Sequence, residues 1–302
     1  HTILQGDWSS DVCSSDLVSS PTAGYPDNFP VGSPERAAYD LGQSYAQFQV
    51  DKRERAPTVY VAANDGMLHA FDGGTGHERF AYVPNAVIEN FRLTRSTQFE
   101  GGFTPSVDDR PLVTDVFING SWRTVLLGSL RLGGRGVYLL DINSPPTSTT
   151  VTESSLAAVP LWEYTNVAPE GDTTTDCAAG GRHCSSLGYT YESINIARLN
   201  YQHKWVALVS SGYFPVDGTD PASNSPRANR TSLLVIDLAT GTLIREILTS
   251  GAPQTADRSF GLSQPIVMDT GTDFIDDVAF AGDLAGNLWR FDLSSDDPTS
   301  WK

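Results

Sequence analysis

The acidic run Asp269-Thr-Gly-Thr-Asp-Phe-Ile-Asp-Asp277 sets oxygen donors at alternating positions of one short segment. That spacing can wrap a hard cation such as Ca²⁺, as the first part of an EF-hand loop does. With Asp269 at position 1, Asp273 falls at position 5 and Asp277 at position 9. Ile275, at position 7, can offer its backbone carbonyl. Gly271 stands at position 3 and brings no side-chain donor, and Phe280 stands where an EF-hand has its bidentate Glu. The same residues also suit a polar turn between strands, with Asp as turn former. Asp217-Gly-Thr-Asp220 is a second acidic turn and reads as a solvated loop. Cys177 and Cys184 sit close together with His183 beside them. They can pair with each other, or hold a metal if a fourth donor arrives, and only three donors are near in sequence. His69, inside an apolar stretch, reads as a packed or hydrogen-bonded strand histidine, while His77 and His203 read as exposed. Gly133-Gly-Arg-Gly136 precedes a strand and not a helix, so it reads as a tight turn and not as a phosphate cradle. No Gly-x-Ser-x-Gly elbow leads into a helix.

These residues need a frame, and internal repetition supplies one. Four segments share an apolar strand, a Gly/Asp/Asn turn and a second apolar strand ending in Asp. They are 59–72, 125–141, 206–237 and 278–292, and they end at Asp72, Asp141, Asp237 and Asp292. Asn64-Asp65-Gly66 and Gly286-Asn287 carry tight-hairpin chemistry. Flanking strands are expected ahead of the second to fourth hairpins (104–115, 191–198, 262–269) and behind the first three (79–83, 161–164, 243–247). Four antiparallel strands per unit make a propeller blade. The fold expected is therefore all-β, a partial β-propeller of about four blades over 58–302. The first blade has no clear opening strand and the last no closing one, so an open arc and a ring both fit. Trp122, Trp162, Trp205 and Trp289 read as packing between blades.

Composition agrees. Lys plus Arg number 20 against 36 Asp plus Glu, a net charge of −16, which argues against a nucleic-acid partner. Thirty aromatic residues (6 Trp, 11 Tyr, 13 Phe) exclude a disordered acidic tail. No stretch approaches the roughly 18 apolar residues that a membrane helix needs. With 27 Gly and 18 Pro, helix is disfavoured almost everywhere. Residues 1–17 are expected to be artefactual or disordered, because 6–17 resemble a translated sequencing-adapter peptide. Residues 18–57 are expected to be an irregular lead-in with a remnant first strand at Val18-Ser-Ser-Pro21.

The segments Thr58–Asp72, Ser121–Gly128, Gly133–Asp141 and Ala281–Asp292 together resemble the C-terminal β-propeller of the PilC/PilY family of type IV pilus tip adhesins and biogenesis factors. The resemblance runs from about Val18 to Lys302. It implies the N-terminal part of that family's propeller, and it implies that Asp269, Gly271, Asp273, Ile275 and Asp277 match the family's calcium loop, with Gly271 as a departure that weakens affinity. It further implies Ca²⁺ as cofactor and pilus subunits as partners, with host or surface receptors beside them. The implied role is non-enzymatic support of pilus assembly, retraction and attachment. The implied location is the periplasm, outer membrane or extracellular pilus, where a Cys177–Cys184 disulfide is the expected state. Two other readings share blades of this style. One is a quinoprotein dehydrogenase, which needs a full ring around pyrroloquinoline quinone. The other is an outer-envelope assembly scaffold.

Overall fold

The computed structural model describes residues 13–14, 29–88, 105–147, 151–191, 193–213, 231–249 and 261–302. Val18–Pro21 and the Asp217–Asp220 turn lie outside them. Among the described residues, fifteen strands form four antiparallel sheets in chain order. The first holds β1 (Cys13–Ser14), β2 (Thr58–Ala62), β3 (Leu68–Asp72) and β4 (Glu78–Tyr82). The second holds β5 (Leu112–Ile118), β6 (Ser121–Ser129), β7 (Gly136–Asp141) and β8 (Pro160–Thr165). The third holds β9 (Ile194–Arg198), β10 (Trp205–Ser210), β11 (Ser232–Asp237) and β12 (Leu243–Leu248). The fourth holds β13 (Ile266–Met268), β14 (Val278–Gly282) and β15 (Leu288–Asp292). Each sheet is an up-and-down meander, so each is a blade. Past β15, the Asp292 amide donates to the Lys302 carbonyl at 2.7 Å, so the chain returns alongside that strand.

Side chains alternate across a strand, and here both faces are buried. In β6, Val125 and Leu127 face the third blade while Leu126 faces the first. In β10, Ala207 and Val209 face the second blade while Val206 and Leu208 face the fourth. Three buried clusters result, joining the first blade to the second, the second to the third and the third to the fourth. Among the described residues none joins the first to the fourth. Trp122 and Trp205 meet edge to face at 6.2 Å across the middle seam. Trp162 donates its indole N–H to the Leu238 carbonyl at 2.8 Å across the same seam. Trp289 is only half-buried and donates to Asp283.

The strand-ending aspartates repeat one device. In each, Oδ1 accepts the amide two residues on: Gly74 for Asp72, Asn143 for Asp141, Ala239 for Asp237 and Ser294 for Asp292. In each, Oδ2 takes a cation: Arg79, Arg123, Lys204 and Arg290 in turn. The turn and its charge are thus satisfied locally. In the third blade the turn closes with Gly241 at φ +71°, packed so tightly on the Trp162 ring that a Cβ would overlap it. Gly133 is likewise pressed against the Ser106 carbonyl, and its amide closes a turn on the Leu130 carbonyl at 2.8 Å between β6 and β7, which begins at Gly136.

The lead-in differs from the expected irregular stretch. Helices α1 (Pro34–Asp40) and α2 (Tyr45–Lys52) occupy part of it. Ser33 caps α1 by accepting from the Arg36 amide, with Pro34 behind it at the first helical position. Ser44 caps α2 by accepting from the Gln47 amide. The Ser-Pro-Glu signal is local, and the overall Gly and Pro content hides it. Phe29, Ala38 and Tyr45 enter the cluster between the second and third blades, with Tyr45 4.6 Å from Trp122. The Tyr45 hydroxyl donates to Asp115 at 2.8 Å, and burial raises the pKa of that carboxyl. Strand β1 falls within the adapter-like residues 6–17. Antiparallel pairing uses only backbone groups, so it does not need a strand-like side-chain pattern. Strand β5 begins at Leu112, later than the expected 104.

Candidate metal centre

Strands β13 and β14 close on the pair Met268↔Val278, and residues 269–277 form the loop between them. Asp269 accepts the Thr272 amide at 2.6 Å through Oδ1 and the Phe274 amide at 2.8 Å through Oδ2. Asp273 accepts the Ile275 amide at 3.1 Å. Asp277 accepts the Thr270 amide at 2.9 Å and the Thr270 hydroxyl. Gly271 lies against the Asp273 carboxylate: a Cβ there would sit 3.4 Å from its Cγ. Ile275 is buried and anchors the loop, while Thr272 and Phe274 adopt left-handed backbone at φ 57° and 63°. Non-glycine residues hold that conformation only when their surroundings fix it. Here the two amide bonds to Asp269 do so.

A fourth acid, Asp276, points the other way. Its Oδ2 accepts the Arg198 amide at 3.0 Å, and its own amide donates to the Arg198 carbonyl at 2.8 Å. Burial pushes its pKa up to about 6; the charges of Asp269 and Asp277 add to the rise, against the Arg198 amide bond. Sequence reasoning passed over Asp276, because the alternating pattern skips it and burial leaves no mark in a doublet of Asp. Four carboxylates thus share nine residues. Among the described residues no Lys, Arg or His side chain forms an ion pair with any of them.

The donor set is all oxygen, which suits a hard divalent cation. The carboxylates of Asp269, Asp273 and Asp277 are each turned onto loop amides. Among the described residues, the one trio of acidic, Cys or His donors with ligating atoms all within 4.8 Å of one another is Asp176, Cys177 and Cys184. Those two sulfurs are joined to each other as a disulfide, with Cα atoms 4.3 Å apart, and His183 beside them bonds Asp172 at 3.2 Å. His69 bonds Glu78 at 2.7 Å and Asp65 at 2.9 Å; His77 is exposed, and His203 is half-buried and not exposed.

Comparison with known proteins places this blade set. The model of the PilY1 beta-propeller domain matches residues 28–302. The chain belongs to the PilY1 β-propeller family. The type IV pilus biogenesis factor PilY1 of Pseudomonas aeruginosa strain UCBPP-PA14 is 38% identical over 259 residues, covering 84% of this chain and 19% of that protein. A PilY1 homolog of Xylella fastidiosa strain Temecula1 is 34% identical, covering 85% and 16%. The crystal structure of the Pseudomonas aeruginosa PilY1 C-terminal domain superposes with a TM-score of 0.60 at 33% identity, covering 88% of this chain and 44% of that one. The chain therefore spans about a fifth of the length of the curated PilY1 relatives that it matches. Among the described residues, no helix is long and apolar enough to cross a membrane.

Proposed function

We propose that this PilY1-family propeller serves type IV pilus biogenesis and attachment as a non-enzymatic module. It works by contact with pilus subunits, and with surface receptors, at the cell envelope or on the pilus. The observation that supports this reading is the family match across residues 28–302, together with relatives named as pilus biogenesis factors. Calcium enters through the 269–277 loop. Asp269, Asp273 and Asp277 would hold the ion, with the Ile275 carbonyl and with water at the Gly271 corner. Such an ion would offset the mutual repulsion of Asp269, Asp273 and Asp277, which form no ion pair with a Lys, Arg or His side chain among the described residues, and so would favour one loop arrangement over others. Loop order then changes the surface offered to a partner.

Calorimetric calcium titration of the 302-residue chain, followed by capture of purified pilus subunits with and without the ion, tests the reading. Calcium-dependent capture is expected. Binding of subunits that ignores calcium would remove the ion from the mechanism. Absence of subunit binding with a bound quinone absorbance would replace the whole reading with an oxidoreductase.

A further inference from the structure

Arg198, the last residue of β9, is 2% exposed and ties together three parts of the chain. Its Nε and Nη2 donate to the two carboxylate oxygens of Glu35, in the first turn of α1, at 2.8 and 3.1 Å. Glu35 is equally buried, and its Oε1 also accepts the Trp205 indole N–H at 2.8 Å. The Phe29 ring lies 5.0 Å from the guanidinium carbon. On the other side, the Arg198 backbone makes both of the bonds to Asp276 described above, and its Nη1 reaches the Phe274 carbonyl in a long contact of 3.5 Å. A buried ion pair is weak as a source of stability, since apolar replacements often do as well. Its bidentate fork is strong as a source of geometry, because only one orientation satisfies both oxygens.

The Phe274 residue is held at two points, its amide by Asp269 and its carbonyl by Arg198. Asp269, if it turned toward a bound cation, would give up the amide bond at the first point. The left-handed backbone of Phe274 would then lose what fixes it, and its carbonyl would shift relative to the guanidinium. We infer that Arg198 is a positioning residue that couples occupancy of the acidic loop to the seating of helix α1, through Glu35 and with the Trp205 indole on the same carboxylate. This rests on the calcium reading above. It adds a direction of transmission, from the loop of the fourth blade through the end of β9 to the helices that precede the blades.

The test follows the Trp205 indole N–H by NMR in the ¹⁵N-labelled 302-residue chain, assigned by its loss in Trp205→Phe, beside calorimetry on the same sample. In the parent, the indole signal is expected to move with the affinity that the heat reports. Arg198→Lys keeps the charge and removes the fork. It should leave calcium binding in place with affinity altered by about tenfold, and should greatly reduce the Trp205 shift. Glu35→Gln, the gentler variant should Arg198→Lys fail to melt cooperatively, should speed calcium-free amide exchange at Phe274 to Asp277 by about tenfold. Calcium binding in the parent with a still Trp205 signal would sink the coupling and leave the calcium reading intact. So would an undiminished shift in Arg198→Lys, or unchanged exchange in Glu35→Gln. A flat calorimetric trace in the parent would remove the calcium reading itself and the coupling with it.

Discussion

The four strand-ending aspartates and the 269–277 loop use the same residue for opposite ends. Asp72, Asp141, Asp237 and Asp292 each divide their carboxylate between the turn that follows, through one oxygen, and a Lys or Arg, through the other. Asp269, Asp273 and Asp277 also take amides, but among the described residues no Lys, Arg or His side chain pairs with them. A turn Asp with a built-in base has its charge balanced within the turn, whereas the loop acids repel one another, and that repulsion is what the proposed ion would relieve. The first blade offers an intermediate case. There Asp65 and Glu78 flank His69, a cation that comes and goes with pH.

The sharpest way to break the contrast is to supply the missing charge. At a calcium concentration of about a hundred times Kd, the parent should gain about 2.7 kcal/mol. Asp277→Ala or Asp273→Ala should lose that gain, so that melting curves with and without calcium superimpose. A parent that melts alike in both conditions would make the loop one more polar turn. Next comes Asp237→Ala, in the buried turn of the third blade, which should cost about 2 kcal/mol whether or not calcium is present, by removing an amide acceptor and leaving Lys204 without its carboxylate. Denaturant unfolding checks this, and a calcium-sensitive loss would blur the two classes of Asp.

His69 tests the intermediate case. Burial alone would lower its pKa, but the bonds to Glu78 and Asp65 and their charges outweigh burial, and the folded-state pKa is raised. The contribution is therefore fully present below the unfolded-state value near 6.5 and is lost as pH rises through the higher folded value. The parent should lose a fraction of about 1 kcal/mol over that window relative to His69→Gln, which should show no such step in melting temperature against pH. The smallest effect belongs to Arg290→Ala. Its pair with Asp292 is exposed and 3.3 Å long, so a change below about 0.5 kcal/mol is expected by chemical denaturation. A large loss there would mean that even the exposed turns depend on their bases.

The hairpins and their terminal Asp were legible because period-two apolar strands and Asp-Gly turns are local patterns. The 269–277 segment was legible as an acidic loop between two strands for the same reason. Its hydrogen bonding was not, since spacing does not say which loop amide each carboxylate takes. The helices were missed because the Ser33-Pro34-Glu35 start is three residues in a chain poor in helix formers. The Arg198–Glu35 pair spans 163 positions and carries no pattern at all. Asp276 shows the same limit: adjacent to Asp277 in sequence, it faces β9 and not the other loop acids.

The two-sided burial of β6 and β10 has a consequence for how such a chain can change over generations. Adding or deleting one residue in either strand would transpose its inward and outward sets and spoil two seams together. Whole extra stretches between blades leave both seams alone. Growth and decoration are therefore open at the rim and closed at the centre, where even a three-nucleotide insertion would be purged.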